Sequence, residues 1–159
     1  MNTTTTLNRP ETDKEECIAK CNSLLRGEIS AVEAYEKVIE KFADEPEIAS
    51  LQRFRSEHEL AVHKLRAQVI EMHAIPETES GAWGYLTGAI QSAANLIGES
   101  SAISSLQQGE MLGQRAYADF LESPEPLPEC KVLVRDTLLP MVNRHIEQLE
   151  KMNAALAES

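Results

Sequence analysis

Apolar residues recur along most of the chain at intervals of three, four and seven, the spacing of amphipathic α-helices. The pattern predicts four long helices, at about residues 12–44, 47–74, 101–122 and 129–157. The breaks contain the turn-forming and proline-rich stretches that end helices. The predicted inward positions are Ile18, Leu25, Val32, Ile39 and Phe42, then Leu51, Phe54, Ala61, Leu65, Val69 and Met72, then Ile103, Leu106, Gly113, Tyr117 and Leu121, then Leu138, Met141, Val142, Leu149 and Met152.

A fifth apolar segment, residues 82–97, separates the two helix pairs. We expect it to be a crossover helix that returns the chain from one end of the bundle to the other, because about 16 helical residues span about 24 Å. The order of helix pair, long crossover and helix pair is that of a ferritin-like bundle. The expected fold is therefore an all-α, ferritin-like four-helix bundle over residues 12–157, after a disordered tail at residues 1–11. Pro140 should disturb the last helix shortly before His145.

Composition narrows the classes of function. Aromatic residues make up only 4% of the chain, which favours helices over a β-sandwich or barrel. The formal net charge of −11 argues against a nucleic-acid partner. No apolar run is long enough for a membrane span, and no secretory signal begins the chain, so we expect a cytoplasmic protein. The apolar crossover predicts a homodimer formed through that helix.

Four polar residues lie in the middle of the four apolar stripes: Glu28, His58, Glu110 and His145. A helix turns about 100° per residue, and in each case the neighbouring apolar residues fall within about 60° of the polar one. One buried histidine is usually a core residue with satisfied hydrogen bonds. Two glutamates and two histidines, one on each helix, predict instead a metal site inside the bundle, because uncompensated buried carboxylates are costly.

The axial level of these residues is a second criterion. Glu110 and His145 lie at matching distances from their turn, whereas Glu28 and His58 differ by about five residues, or about 7.5 Å. Axial level alone favours His63 or Glu59 as the ligand on the second helix. We choose His58, because it lies on the inward face of that helix. Tyr35 and Tyr117 each follow a Gly-Glu pair by seven residues. They lie on the same face as the glutamates and could donate to the carboxylate of the opposite helix. They fit equally well as plain core aromatics.

Three cysteines, at positions 17, 21 and 130, are an odd number for a disulfide framework, so reduced thiols are expected. Cys17 and Cys21 lie one turn apart and fit best as core thiols. A redox or metal role requires Cys130 at the same end of the bundle.

The segments around the two Gly-Glu pairs, GEISAVEAY at 27–35 and GEMLGQRAY at 109–117, resemble the first and third helices of rubrerythrins. Together with the crossover SGAWGYLTGAIQSAANLIG and the final LLPMVNRHIEQL, they resemble more closely a family of uncharacterised bacterial ferritin-like proteins, a domain of unknown function. The resemblance covers about residues 15–152. It implies a ferritin-like fold and supplies no established activity.

The chain departs from the di-iron pattern, in which each of two histidines follows a glutamate by three residues. Here those positions hold Arg55 and Val142, so the bridging carboxylates of a paired-iron centre are missing. The remaining Glu28, His58, Glu110 and His145 suit a single iron, manganese or zinc ion. Alternatively, Arg55 supplies the positive charge by pairing with a buried glutamate.

Two hypotheses follow. The first is a ferritin-like protein that binds a metal ion inside the bundle and acts in metal or oxidant handling. The second is a metal-free bundle that acts as an association or structural module.

Overall fold

The computed structural model describes residues 9–81, 98–124 and 128–158, and all regular structure in these segments is helical. Helix α1 spans Arg9–Lys41, α2 spans Ile48–Glu71 and α3 spans Glu99–Glu122. The chain then forms α4 at Pro128–Leu133, a π-helical turn at Val134–Leu138 and α5 at Leu139–Glu158. These last three elements follow one another without a break and make the fourth arm of the bundle. The predicted all-helical structure is therefore confirmed for the described residues.

The helices pack as two hairpins. Helix α1 packs against α2, α3 packs against α5, and α1 also contacts α3. Helix α1 begins at Arg9, a little before the predicted start at Thr12. Residues 1–8 of the expected tail and the expected crossover helix at residues 82–97 lie outside the described residues. Within the described segments, no helix has the length and apolar character needed to cross a bilayer.

The chain changes ends of the bundle between α2 and α3. After α2, it follows α1 in an extended conformation: Asn22 hydrogen bonds to Ile75 and Glu77, and Ser80 donates to Glu33. Helix α3 begins at the opposite end, where Glu99 lies beside Glu45 and Glu47 of the first hairpin turn. The described residues on the two sides of segment 82–97 thus lie toward opposite ends of the bundle.

Pro140 is accompanied by a local irregularity in the fourth arm. The Leu139 N–H bonds to the carbonyl of Val134, five residues earlier, rather than to the carbonyl four residues earlier. In a regular helix, the ring of Pro140 would clash with the carbonyl four residues before it, and Pro140 has no N–H to donate. The wider π-helical turn directly before Pro140 relieves that clash.

Two apolar clusters fill the bundle. The first, near the start of α1, contains Leu25, Leu65 and Val69 among others, together with all three cysteines. The second, near the end of α1, contains Val38, Phe54 and Leu149. Between the clusters, each of the four helical arms contributes one buried ionisable side chain. The core is therefore divided by a polar layer.

Leu65 and Leu60 on α2 provide a matched test of this packing. Leu65 is 1% exposed and Leu60 is 53% exposed. We expect Leu65→Ala to lower the free energy of unfolding by about 2–5 kcal/mol through lost burial and a residual cavity. Leu60→Ala should change it by less than about 0.5 kcal/mol. Urea denaturation followed by circular dichroism measures both, and equal losses would contradict the assignment of the core face.

Candidate metal centre

Glu28 on α1, His58 on α2, Glu110 on α3 and His145 on α5 meet in one buried layer. Each is no more than 4% exposed. On every arm, the polar residue falls between residues of the first apolar cluster and residues of the second. The structure thus brings together all four residues that the sequence predicts as ligands, including His58 rather than His63, which is exposed.

One oxygen of Glu110 is the centre of the layer. Its Oε1 atom accepts hydrogen bonds from Tyr35 at 2.6 Å, from His58 Nε2 at 2.7 Å and from His145 Nδ1 at 2.9 Å. Burial by itself favours the neutral acid, but the charge of His58 and the hydrogen bonds from both imidazoles outweigh it. The pKa of Glu110 is consequently lowered to about 2.

The far nitrogen of each imidazole faces a second carboxylate. His58 Nδ1 lies 2.5 Å from Oε2 of Glu28, and His145 Nε2 lies 2.6 Å from Oε2 of Glu57. Burial opposes a charge on His58, yet the adjacent Glu110 and Glu28 carboxylates raise its pKa well above its ordinary value. Each ring is therefore held between two carboxylates.

The two tyrosines cross the bundle. Tyr35 on α1 donates to Glu110 on α3, and Tyr117 on α3 donates to Oε1 of Glu28 on α1. Both phenols are almost fully buried. Desolvation and the nearby carboxylates raise the pKa of each phenol well above 10, so both remain donors. This exchange joins the two hairpins through the polar layer.

Glu57 takes part in the network, although the sequence pattern does not select it. It directly precedes His58, so its side chain leaves α2 about 100° away from the inner stripe. At that angle it reaches α5, where it contacts His145 and lies 4.0 Å from Arg144. Its side chain is 34% exposed. In the sequence, the one feature that points to Glu57 is its position at the edge of the apolar stripe of α2. That position identifies a partner only when the neighbouring helix is known.

Arg55 does not supply the positive charge of the layer. In the structure it pairs with Glu59 one turn along α2, with its Nε atom 3.5 Å from Oε1, and its side chain is 34% exposed. The pairing with Glu28 or Glu110 that the sequence allowed is therefore wrong. The reason is local: Arg55 lies three residues before His58, and its guanidinium stays beside the carboxylate of Glu59 on the same helix. His58 and His145 occupy the contacts with the buried carboxylates instead.

The donor atoms of His58, Glu110 and His145 are close enough together to be candidate ligands of one metal ion. One ligand atom from each lies within 4.8 Å of the other two, and all three residues are buried. Nitrogen and oxygen ligands about 2.0–2.1 Å from one tetrahedral ion lie about 3.3 Å apart, somewhat further than the present contacts. A small separation of Glu110 from the two rings therefore makes room for an ion. Two imidazoles and one carboxylate are a common ligand set of iron and zinc sites with open coordination positions.

A cavity of about 50 Å³ adjoins this layer between α1 and α3. Its polar lining includes Glu28, His58, Glu110, Ser30 and the two tyrosines, and small residues such as Gly109 and Gly113 form part of its wall. About 10–15 Å³ on this measure holds one water molecule. The cavity can thus accommodate a few water molecules or a reactant of that size next to the carboxylates.

Residues 16–123 match a protein family described as Domain of unknown function (DUF2383). The chain belongs to this family. The DUF2383 match includes Glu28, Glu57, His58 and Glu110, while His145 lies beyond it. Comparisons with curated proteins and with solved structures return no match.

The pKa shifts of Glu110 and His58 predict how pH changes the stability of the metal-free protein. Glu110 stabilises the fold above its unfolded pKa of 4.5, and this contribution is lost as pH falls toward about 2. His58 has the opposite sign: its contribution is complete below 6.5 and is lost as pH rises through its raised folded pKa. Thermal unfolding in chelator should therefore show a loss of stability on the alkaline side that His58→Gln flattens. His63→Gln is the matched control, and equal alkaline slopes in wild type and His58→Gln would contradict the assignment.

Proposed function

We propose that this protein is a ferritin-like metal-binding bundle that holds one divalent ion of iron, manganese or zinc and acts in metal or oxidant handling. The observation that carries the proposal is the convergence of His58 Nε2 and His145 Nδ1 on one oxygen of Glu110 in a buried layer. A cation at this point compensates a carboxylate that is otherwise costly to bury.

The geometry supports a more specific division of roles than the sequence. His58, Glu110 and His145 form the set of three whose donor atoms converge. Glu28 and Glu57 contact the opposite ring nitrogens, which is the usual position of carboxylates that orient metal-binding histidines. We therefore assign Glu28, predicted from the sequence as a fourth ligand, to orienting His58, and Glu57 to orienting His145. Tyr35 holds the Glu110 carboxylate in place from the side.

Metal binding at this site competes with protons. In the metal-free structure, His58 contacts carboxylate oxygens through both ring nitrogens and is charged, so an ion can bind Nε2 only after that nitrogen loses its proton. The remaining Nδ1–H still donates to Glu28, which fixes the tautomer. The bound ion would supply Lewis-acid or redox chemistry beside the cavity. Small reactants such as dioxygen or peroxide match the size of that cavity.

A paired-iron centre is not part of the proposal. The positions of the two bridging glutamates hold Arg55, which pairs with Glu59, and Val142, which is buried in the apolar core. Neither provides an oxygen ligand between two ions. A single-ion site agrees with the donor set present.

The second candidate is a metal-free bundle in which the same layer has a structural role. The specific observation in its favour is that the carboxylates of Glu28 and Glu110 are hydrogen bonded to imidazole or phenol groups without any ion. A fully satisfied polar network can specify how helices align. The two candidates differ in whether the protein retains a stoichiometric ion.

Metal content of the purified protein tests the choice. We expect the polar layer to hold about one ion per chain after reconstitution with iron, manganese or zinc, counted by elemental analysis as the difference between wild type and His145→Ala, as a single three-ligand site implies. His145→Ala and Glu110→Ala should lose it. His63→Ala, which changes an exposed histidine on α2, is the control and should retain it. An ion content after anaerobic reconstitution that is equal in wild type, His145→Ala and Glu110→Ala would support the metal-free candidate instead.

Glu28→Gln and Glu57→Gln test the orienting roles. Each should weaken metal affinity by about 10–100-fold while leaving the stoichiometry unchanged, because an amide holds the imidazole less strongly than a carboxylate does. Glu59→Gln, next to His58 on its other side, should leave affinity unchanged. Isothermal titration of the apoprotein measures all three. A complete loss of the ion in Glu28→Gln would show that Glu28 is itself a ligand.

A further inference from the structure

A second group of potential ligands lies at the other end of the first apolar cluster. Cys17, Cys21 and Cys130 are at most 2% exposed, and their sulfur atoms lie within 4.8 Å of one another. The Sγ atoms of Cys21 and Cys130 are 3.5 Å apart. The sequence contains three cysteines in total, and all of them meet here. We propose that their three thiolates bind one thiophilic cation, Zn²⁺ or Cu(I), at a site separate from the polar layer.

The positions of Cys21 and Glu28 on α1 give the distance between the cysteine cluster and the polar layer. Cys21 precedes Glu28 by seven residues, so the cysteine cluster lies about 10.5 Å along the helix from the polar layer. The two sites share no side chain. The cysteine cluster contains only sulfur ligands, whereas the polar layer offers nitrogen and oxygen. Soft thiolates select Cu(I) and Zn²⁺, and the two sites therefore prefer different cations.

The distances agree with coordination to one ion. Two thiolates each about 2.3 Å from a tetrahedral ion are about 3.8 Å apart. The distance of 3.5 Å between Cys21 and Cys130 is close to this value, and Cys17 is within reach one turn earlier on the same face of α1. A fourth position is available to oxygen, since Gln68 Oε1 lies 3.3 Å from the sulfur of Cys130. Zn²⁺ usually takes four ligands.

The convergence of the three cysteines differs from the ordinary burial of single thiols in a core. A buried cysteine usually behaves as a small apolar residue. Here two cysteines from α1 and one from α4, more than 100 residues away, converge on each other rather than on separate parts of the core. A bound cation would also compensate the negative charge of the thiolates that form as it binds. Zn²⁺ leaves the smaller residual negative charge of the two ions.

The binding step involves no redox change. Each cysteine loses its S–H proton to solvent as its sulfur forms a bond to the ion, so up to three protons are released per ion bound. A Cys21–Cys130 disulfide is the competing use of the same sulfurs. It requires the two atoms to approach to about 2.05 Å and an external oxidant to accept two electrons. Metal binding needs neither.

Titration of the reduced full-length protein tests the proposal. Zn²⁺ and Cu(I) are each added anaerobically in competition with a chromophoric chelator, to wild type, to Cys17→Ser/Cys21→Ser/Cys130→Ser and to His58→Ala/His145→Ala. We expect the thiolates to bind one equivalent tightly in wild type and in the histidine variant, and the serine variant to bind that equivalent more than about 100-fold more weakly, a larger loss than removal of an orienting partner causes. The preferred ion distinguishes a zinc site from a copper site.

The histidine variant also separates this proposal from the proposed function. Loss of metal at the polar layer leaves the thiolate equivalent in place, and loss of the thiolate equivalent leaves the polar layer unchanged. Equal numbers of tightly bound equivalents in wild type and the serine variant, or no binding of either ion by the reduced histidine variant, would overturn the cysteine site.

X-ray absorption of the metal-loaded wild type gives a test that does not depend on folding of a variant. For an ion bound at the cysteine cluster, the expected spectrum shows three sulfur neighbours at about 2.3 Å. A first shell composed only of nitrogen and oxygen at about 2.0–2.1 Å would overturn the proposal. Circular dichroism confirms the helical content of each variant before titration.

Discussion

The contact on which the rest of this structure depends is the hydrogen bonding of three donors to one oxygen of Glu110. A carboxylate buried without partners would be strongly destabilising. Here Tyr35, His58 and His145 reach it from three other arms of the bundle. These contacts require the four arms to align at one axial level. They also separate the apolar core into two clusters, each packed against one side of the polar layer.

The same contacts relate the fold to its chemistry. In the proposed function, a metal ion would take the electrostatic role of the proton on His58, since either brings positive charge between the carboxylates. Glu28 and Glu57 would keep their contacts to the outer ring nitrogens, so the imidazoles would not have to turn when one cation replaces the other. Such preorganisation is expected of a site built on rigid helices rather than on loops.

The cysteine cluster and the polar layer divide the bundle chemically along α1. One offers sulfur in an apolar cluster, and the other offers nitrogen and oxygen beside a small cavity. The segment that matches the DUF2383 family covers α1 from residue 16 onward and all of α2 and α3. It includes most of the polar layer and two of the three cysteines. His145 and Cys130 come from the fourth arm, so each group is completed by a residue beyond the matched segment.

The amino-acid sequence by itself determined the helices, their order and the inward face of each, because the helical period is set by covalent geometry and local burial. It thereby placed Glu28, His58, Glu110 and His145 on inner faces, even though the estimated axial levels of Glu28 and His58 disagreed. Tertiary structure alone decided which nitrogen of His58 faces which carboxylate, that Glu57 reaches His145, and that Arg55 turns to Glu59. It also decided that Cys130 meets Cys21. These contacts depend on the distance, rotation and axial shift between helices, including the π-helical turn of the fourth arm, and no pattern within a single helix contains that information.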